Sequence, residues 1–297
     1  TRSEIDIPLK VRGDLIGMFN VQSTEINGFS PERIRLLEAL AGHIATAIEN
    51  ARMFRHERLE NERMTKELDE AQAIQFGLFP GDCPKIDGFD VTGVCVPCRA
   101  VGGDWYDYIP LLDGRLGIVL ADVSGKGMGA ALLMSSARSI LRLHARDGRP
   151  PGEVLAEVNR VLVDDFPSAR FVTLIYAIAD PGEKTITFAN AGHLHPILVD
   201  ENGASFLGTD SGLPLGIMAS DFAERVIPMK TGNRLFFYTD GVTEANNALL
   251  EEYGPERLLA HSEEPASSVQ SILNDVGKFT AGYPTTDDVT VVMLGAR

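Results

Sequence analysis

Residues 116–129 read LGIVLADVSGKGMG, an apolar run, an aspartate and then a glycine-rich turn. A short apolar run closed by glycines reads as a buried strand rather than a helix. Asp122 stands where that strand ends, and helical stretches follow near 128–146 and 152–166. A carboxylate at a strand end is held rigidly while its oxygens face a cleft. Glycines beside it let backbone or ligand approach closely.

The same arrangement recurs along the chain. Asp104 lies in VGGDWYDY (101–108), Asp240 ends LFFYTD (235–240) before GVTEA, and Asp287 and Asp288 open DDVTVVML (287–294). A single aspartate beside glycine is ordinarily a turn residue. Several converging would repel one another unless cations neutralised them, and oxygen-only donors suit Mg²⁺ or Mn²⁺. A pair of such ions can activate water and neutralise a phosphoryl group for in-line displacement.

Composition narrows the partners. The 297 residues leave room for one large or two smaller domains. With 42 acidic against 27 basic side chains the formal charge is -15, which disfavours nucleic acid and anionic membrane surfaces. Mean hydropathy is near zero, no window approaches the roughly eighteen apolar residues of a membrane span, and no signal peptide is evident. Three cysteines point to a reducing cytoplasm rather than a disulfide framework. Cys95 and Cys98 form a C-x-x-C pair, but no second Cys/His pair follows at zinc spacing. The chain begins at Thr1 rather than Met, so a fragment of a longer protein is expected.

The chain divides into three stretches. Residues 1–30 hold two strand-like runs, IDIPLKV and LIGMFNVQS, joined by a turn at Arg12-Gly13-Asp14. Ser30-Pro31-Glu32 then starts a helix. Leu37, Leu40, Ile44, Ala47, Ala51 and Phe54 form a seam-type stripe, and Met64, Leu68, Ala71 and Leu78 continue it out of phase. A helix of this kind pairs with a second copy of itself or stands alone in solvent. From about Val91 onward, short strands and helices come in blocks rather than alternating strictly. That grouping predicts an α+β domain with antiparallel sheets.

The strings VGGDWYDY, ADVSGKGMGAALLMS, FANAGHLHP, FYTDGVTEA and DDVTVVML, in this order across roughly residues 70–297, closely resemble the bacterial PPM-type phosphatases of the SpoIIE/RsbU group, relatives of protein phosphatase 2C. The resemblance implies an antiparallel β-sandwich flanked by helices with a binuclear Mn²⁺ or Mg²⁺ centre. It assigns the metal cluster and catalysis to Asp104, Asp122, Asp240 and Asp287, with the backbone carbonyl of Val123 as a further ligand and Asp288 behind them. PLKVRGDLIGMFNVQS and FSPERIRLLEALAGHIATAIENARMF resemble the last strands and closing helix of a GAF domain, and ELDEAQAIQFGLFP resembles the helical linker and switch element of this phosphatase group. The implied organisation is a partial GAF-like sensory domain at 1–51, a linker at 52–80 and the phosphatase domain at 81–297. The implied substrate is a phosphoserine or phosphothreonine on a partner protein, a STAS-domain anti-anti-sigma factor; the seam pattern of the long helix separately suggests a homodimer through the linker.

Other residues carry weaker expectations. Gly102 and Gly103 give close backbone approach at the cluster, and Gly241 occupies the corresponding place after Asp240. Ser124, Lys126 and Gly127 precede a helix N-terminus, where anions are favoured. A Walker A loop is excluded, because glycine rather than Ser or Thr follows Lys126 and no glycine stands six positions before it. His193 and His195 suggest a metal or general-acid role, against the commoner structural histidine in a turn. Trp105 reads as packing, and Arg99 as a phosphate contact or a surface residue. Two other functions remain open at this level: a catalytically silent phosphatase fold that binds partners, and hydrolysis of a small phosphoester.

Overall fold

The N-terminal alternation folds as a hairpin, β1 (Ser3–Val11) and β2 (Asp14–Ser23). Arg12 and Gly13, both at positive φ, make the two-residue turn between them. Ser30 caps the 46-residue helix α1 (Pro31–Phe76), its Oγ accepting the Arg33 amide at 3.3 Å. Ile7 and Leu9 of the hairpin pack with Leu37, Ala41, Ile44, Ala45 and Ile48 of the helix. This differs from the seam read in sequence. Leu40 and Phe54 are 44% and 71% exposed, whereas Ala41 and Ala45 are buried. One face of the first turns serves the hairpin, so the heptad pattern had merged residues from two faces.

The computed structural model describes residues 1–166, 169–208 and 211–297 and forms two compact units, Thr1–Leu68 and Asp69–Arg297. After α1 the chain runs through β3 (Phe89–Val96), β4 (Trp105–Pro110), β5 (Leu116–Val123), α2 (Met128–Ala145), α3 (Pro151–Asp165), β6 (Val172–Asp180) and β7 (Thr185–Ala191). It continues through β8 (Ile197–Asp200), β9 (Gly203–Phe206), β10 (Glu224–Pro228), β11 (Arg234–Tyr238), α4 (Asp240–Thr243), α5 (Pro255–Glu263), α6 (Val269–Thr280) and β12 (Val289–Ala296). Two five-stranded sheets result, ordered β10-β7-β6-β5-β4 and β3-β12-β11-β8-β9, with every strand pairing antiparallel. The short strands β8, β9 and β10 carry no sequence pattern strong enough to announce them.

Period-two alternation sorts the core into layers. On β5, Val119, Ala121 and Val123 face α2 and α3, while Leu116, Ile118 and Leu120 face the second sheet. On β11, Leu235 and Phe237 meet the first sheet, and Phe236 and Tyr238 face the cluster around α5 and α6. The order is therefore helix, sheet, sheet, helix, the sandwich expected from sequence. A buried ion pair fixes α2 to β4: the Asp107 Oδ2 lies 3.0 Å from Arg138 Nε and 3.3 Å from Arg142 Nε. Burial raises the Asp107 carboxyl, and the two guanidiniums oppose that rise.

Trp105, at 1% exposure, plugs the first core beside Asp104. Trp105→Ala is expected to cost about 3–5 kcal/mol of unfolding free energy, measured by urea denaturation. Circular dichroism is the suitable probe, since Trp105 is the chain's single tryptophan.

Candidate metal centre

Antiparallel pairing decides where the acidic side chains meet. Trp105 pairs with Ala121 and Tyr238 with Val291, so the start of β4 lies beside the end of β5, and the end of β11 beside the start of β12. Asp104, Asp122, Asp240 and Asp287 sit at those four strand ends, on two sheets that face each other.

Asp104 is buried beneath the others. Its Oδ2 accepts hydroxyl hydrogen bonds from Thr239 at 2.7 Å and Thr290 at 2.6 Å. The Thr290 amide in turn donates to Thr239 Oγ1 at 3.0 Å. Asp288 works on the opposite side of the turn. Its Oδ1 accepts the Cys98 amide at 2.9 Å, and its Oδ2 accepts the Gly103 amide at 2.8 Å and the Asp104 amide at 3.4 Å. A Cβ on Gly102 would run into the Asp288 carboxylate, and one on Gly241 into the Asp288 carbonyl. A Cβ on Gly103 would lie 2.8 Å from the Val123 carbonyl oxygen. These glycines are needed for close approach rather than for an unusual φ. The Gln75 side chain clamps Gly102 from α1, donating to its carbonyl at 2.8 Å and accepting its amide at 3.0 Å.

Asp122, Asp240 and Asp287 open onto a cleft of about 650 Å³, also lined by Ser124, Lys126, Thr173, His193, His195 and Ser211. Burial, followed by the charge of Asp240, pushes the Asp122 carboxyl up to about 7. Asp104 is raised well above the usual carboxylate range by burial and then by Asp122, with which it shares a hydrogen bond. Asp240 is raised by burial and then by Asp287. Lys126 answers part of this charge, its Nζ lying 2.6 Å from Asp287 Oδ2. Among the described residues, the trio of metal-type donors lying within 4.8 Å of one another is Cys98, Asp287 and Asp288, rather than three of the expected aspartates. Asp287 itself is paired with Lys126.

The remaining candidates take specific places. His193 is buried; its Nδ1 meets the Thr173 hydroxyl at 2.8 Å and its Nε2 donates to the Tyr238 carbonyl at 3.0 Å. Burial lowers it to about 4, so it is a neutral brace between β6 and β11 with both ring nitrogens engaged. His195 lines the cleft. Ser124 Oγ accepts the Phe171 amide at 2.9 Å, and the Arg170 guanidinium covers the Ser124 carbonyl. Arg99 lies near Gly127. Cys95 and Cys98 are free thiols, both held protonated: burial raises Cys95 well above its ordinary value and Cys98 to about 11. Sequence reasoning missed Thr239, Thr290 and Gln75. Thr239 and Thr290 do flank the DG and DD strings, yet nothing local says that two hydroxyls from different strands converge on one carboxylate.

Asp104, Asp122 and Asp240 hold protons more tightly folded than unfolded. Each therefore stabilises the fold in acid, and that contribution is lost as pH rises through the folded value, about 7 for Asp122. The melting temperature of metal-free protein is expected to fall between about pH 5 and pH 8. Asp122→Asn should flatten that profile in a calorimetric pH series.

With this geometry in place, the comparisons with known proteins are specific. The family model of Stage II sporulation protein E matches residues 112–297, and a GAF domain model matches residues 2–49. Protein IcfG of Synechocystis is 28% identical over 260 residues, covering 77% of this chain and 41% of IcfG. Phosphoserine phosphatase RsbU of Bacillus subtilis is 27% identical over 240 residues, covering 78% of this chain and 71% of RsbU. Among solved structures, the SiaA-PP2C domain of Pseudomonas aeruginosa superposes with a TM-score of 0.70 at 19% identity, covering 80% of this chain and 99% of that domain. This last likeness is one of fold. The family match takes in eight of the ten sandwich strands and three of the four strand-end aspartates, and by it the chain belongs to the SpoIIE family, with a PP2C-like fold following a segment that matches a GAF domain model.

Proposed function

We propose that the domain removes phosphate from a phosphoserine or phosphothreonine on a partner protein, using Mn²⁺ or Mg²⁺ bound at the strand-end aspartates. The observation that carries this reading is the convergence of Asp122, Asp240 and Asp287, from two facing sheets, on a single cleft with Asp104 behind them. Oxygen donors whose proton affinity is raised by burial and mutual repulsion suit a hard divalent cation. Asp104, Asp122, Asp240, Asp287 and the Val123 carbonyl would hold two ions, which when bound supply Lewis-acid activation of water and neutralise phosphoryl charge. The chain's own contribution is positional. Thr239 and Thr290 fix Asp104, Asp288 fixes the backbone that presents it, and His193 ties β6 to β11.

The phosphoserine phosphatase RsbU supports a phosphoprotein substrate. We propose a STAS-domain anti-anti-sigma factor as that partner, a GAF-type sensory input upstream, and self-association through the exposed Leu40, Phe54 and Met64 of α1. Among the described residues no helix is long and apolar enough to cross a membrane. The cleft, bordered by carboxylates and by Lys126 and His195, favours a phosphorylated side chain over a small ester in a deep apolar pocket.

The direct test is hydrolysis of p-nitrophenyl phosphate, and then of a phosphorylated STAS protein, with EDTA, Mg²⁺ or Mn²⁺. Turnover is expected only with metal, and Asp240→Asn should lower it by about a hundredfold or more. A fully active Asp240→Asn enzyme would refute the assignment. Partner binding without turnover under any metal would favour a silent binding module.

The Gln75 clamp on Gly102 gives α1 a route to the metal centre, because Gly102 adjoins the Gly103–Asp104 backbone held by Asp288. Gln75→Ala is expected to raise the metal concentration needed for half-maximal activity by about tenfold. Maximal turnover at saturating metal should change much less, as a metal titration of initial rates would show.

A further inference from the structure

Lys126 stands between Gly125 (φ 97°) and Gly127 (φ 74°), in the loop that joins β5 to α2. Both glycines adopt the left-handed region that side-chain-bearing residues avoid, so the loop turns back sharply at this residue. The ammonium reaches across the cleft mouth to the start of β12. There it donates to the Thr286 carbonyl at 2.5 Å and pairs with Asp287 Oδ2 at 2.6 Å. The other carboxylate oxygen of Asp287, Oδ1, accepts the Asp288 amide at 2.9 Å. Both oxygens of Asp287 are thus engaged. Among the described residues, no other cation pairs with any of the four strand-end aspartates.

We propose that Lys126 is a built-in counter-cation that competes with divalent metal for Asp287 and so sets the metal concentration at which the centre assembles. The inference rests on the reading of Asp287 as a metal ligand. A hard cation coordinates carboxylate oxygen at about 2.0–2.6 Å, and a metal and an ammonium cannot share Oδ2 without strong repulsion between like charges. Metal coordination by that oxygen therefore requires the Lys126–Asp287 pair to open. Without metal, the same pair relieves part of the repulsion among Asp122, Asp240 and Asp287.

Isothermal titration of the whole chain with Mn²⁺ tests this, alongside thermal melts of the metal-free protein. Lys126→Met keeps the reach of the side chain and removes its charge; it is expected to bind Mn²⁺ about tenfold more tightly and to melt lower when metal-free. Lys126→Arg, which retains the charge, should stay nearer the wild-type affinity. Arg99→Gln removes a charge near the same loop with no bond to Asp287, and is expected to change affinity by no more than about twofold. Unchanged or weaker Mn²⁺ binding by Lys126→Met would overturn the proposal, as would equal tightening in Arg99→Gln, which would indicate a general field effect. Wild-type protein that binds no Mn²⁺ at all would instead overturn the metal-centre reading itself, and this proposal with it.

Discussion

The carboxylate of Asp288 accepts three backbone amides, from Cys98, Gly103 and Asp104, and much of the site depends on this. Asp288 leads into β12, an interior strand of one sheet, whereas the amides belong to the connection that opens β4, the edge strand of the other. Hydrogen bonds to a charged acceptor are roughly twice as strong as neutral ones, and these are largely shielded from water. They hold two sheets in register at the one end where functional side chains collect. Glycine at 102, 103 and 241 is what lets the backbones come this close.

Around that anchor the protein gathers more negative charge than it neutralises. Asp104 accepts two threonine hydroxyls, yet burial and mutual repulsion leave Asp104, Asp122 and Asp240 all with raised proton affinity. Carboxylates held by a rigid double sheet cannot separate far enough to escape one another. Their chemistry is then governed by whichever cation arrives: proton, ammonium or metal. A site of this kind trades stability for readiness to bind. The surrounding cores supply the compensation, with the strands β5 and β6 buried on both faces.

The GAF-type segment and the phosphatase domain are connected by one long helix, whose final turns carry Gln75 into the domain's own hydrogen-bond network. The Gln75 amide both donates to and accepts from Gly102, so the end of α1 is fixed to the backbone beside Asp104.

Much of this was legible in sequence. Asp104, Asp122, Asp240 and Asp287 stood out by position, each at the boundary of an apolar run and a glycine turn, and the blocks of short strands and helices announced an α+β domain with antiparallel sheets, the sandwich itself being implied by the family resemblance. Local pattern suffices there because burial imposes a period of two and turns demand glycine. The helix α1 was equally plain, but its faces were not: Leu40 and Ala41 are neighbours in sequence, and only the packing of the hairpin buries the second and exposes the first. The partners of Asp104, the clamp by Gln75 and the pairing of Lys126 with Asp287 join residues 135, 186, 27 and 161 positions apart or in separate elements. The residue types were determined by the sequence alone; which hydroxyl, amide or ammonium meets which carboxylate was decided by the tertiary structure, because antiparallel pairing and the stacking of two sheets create those contacts and no local periodicity encodes them.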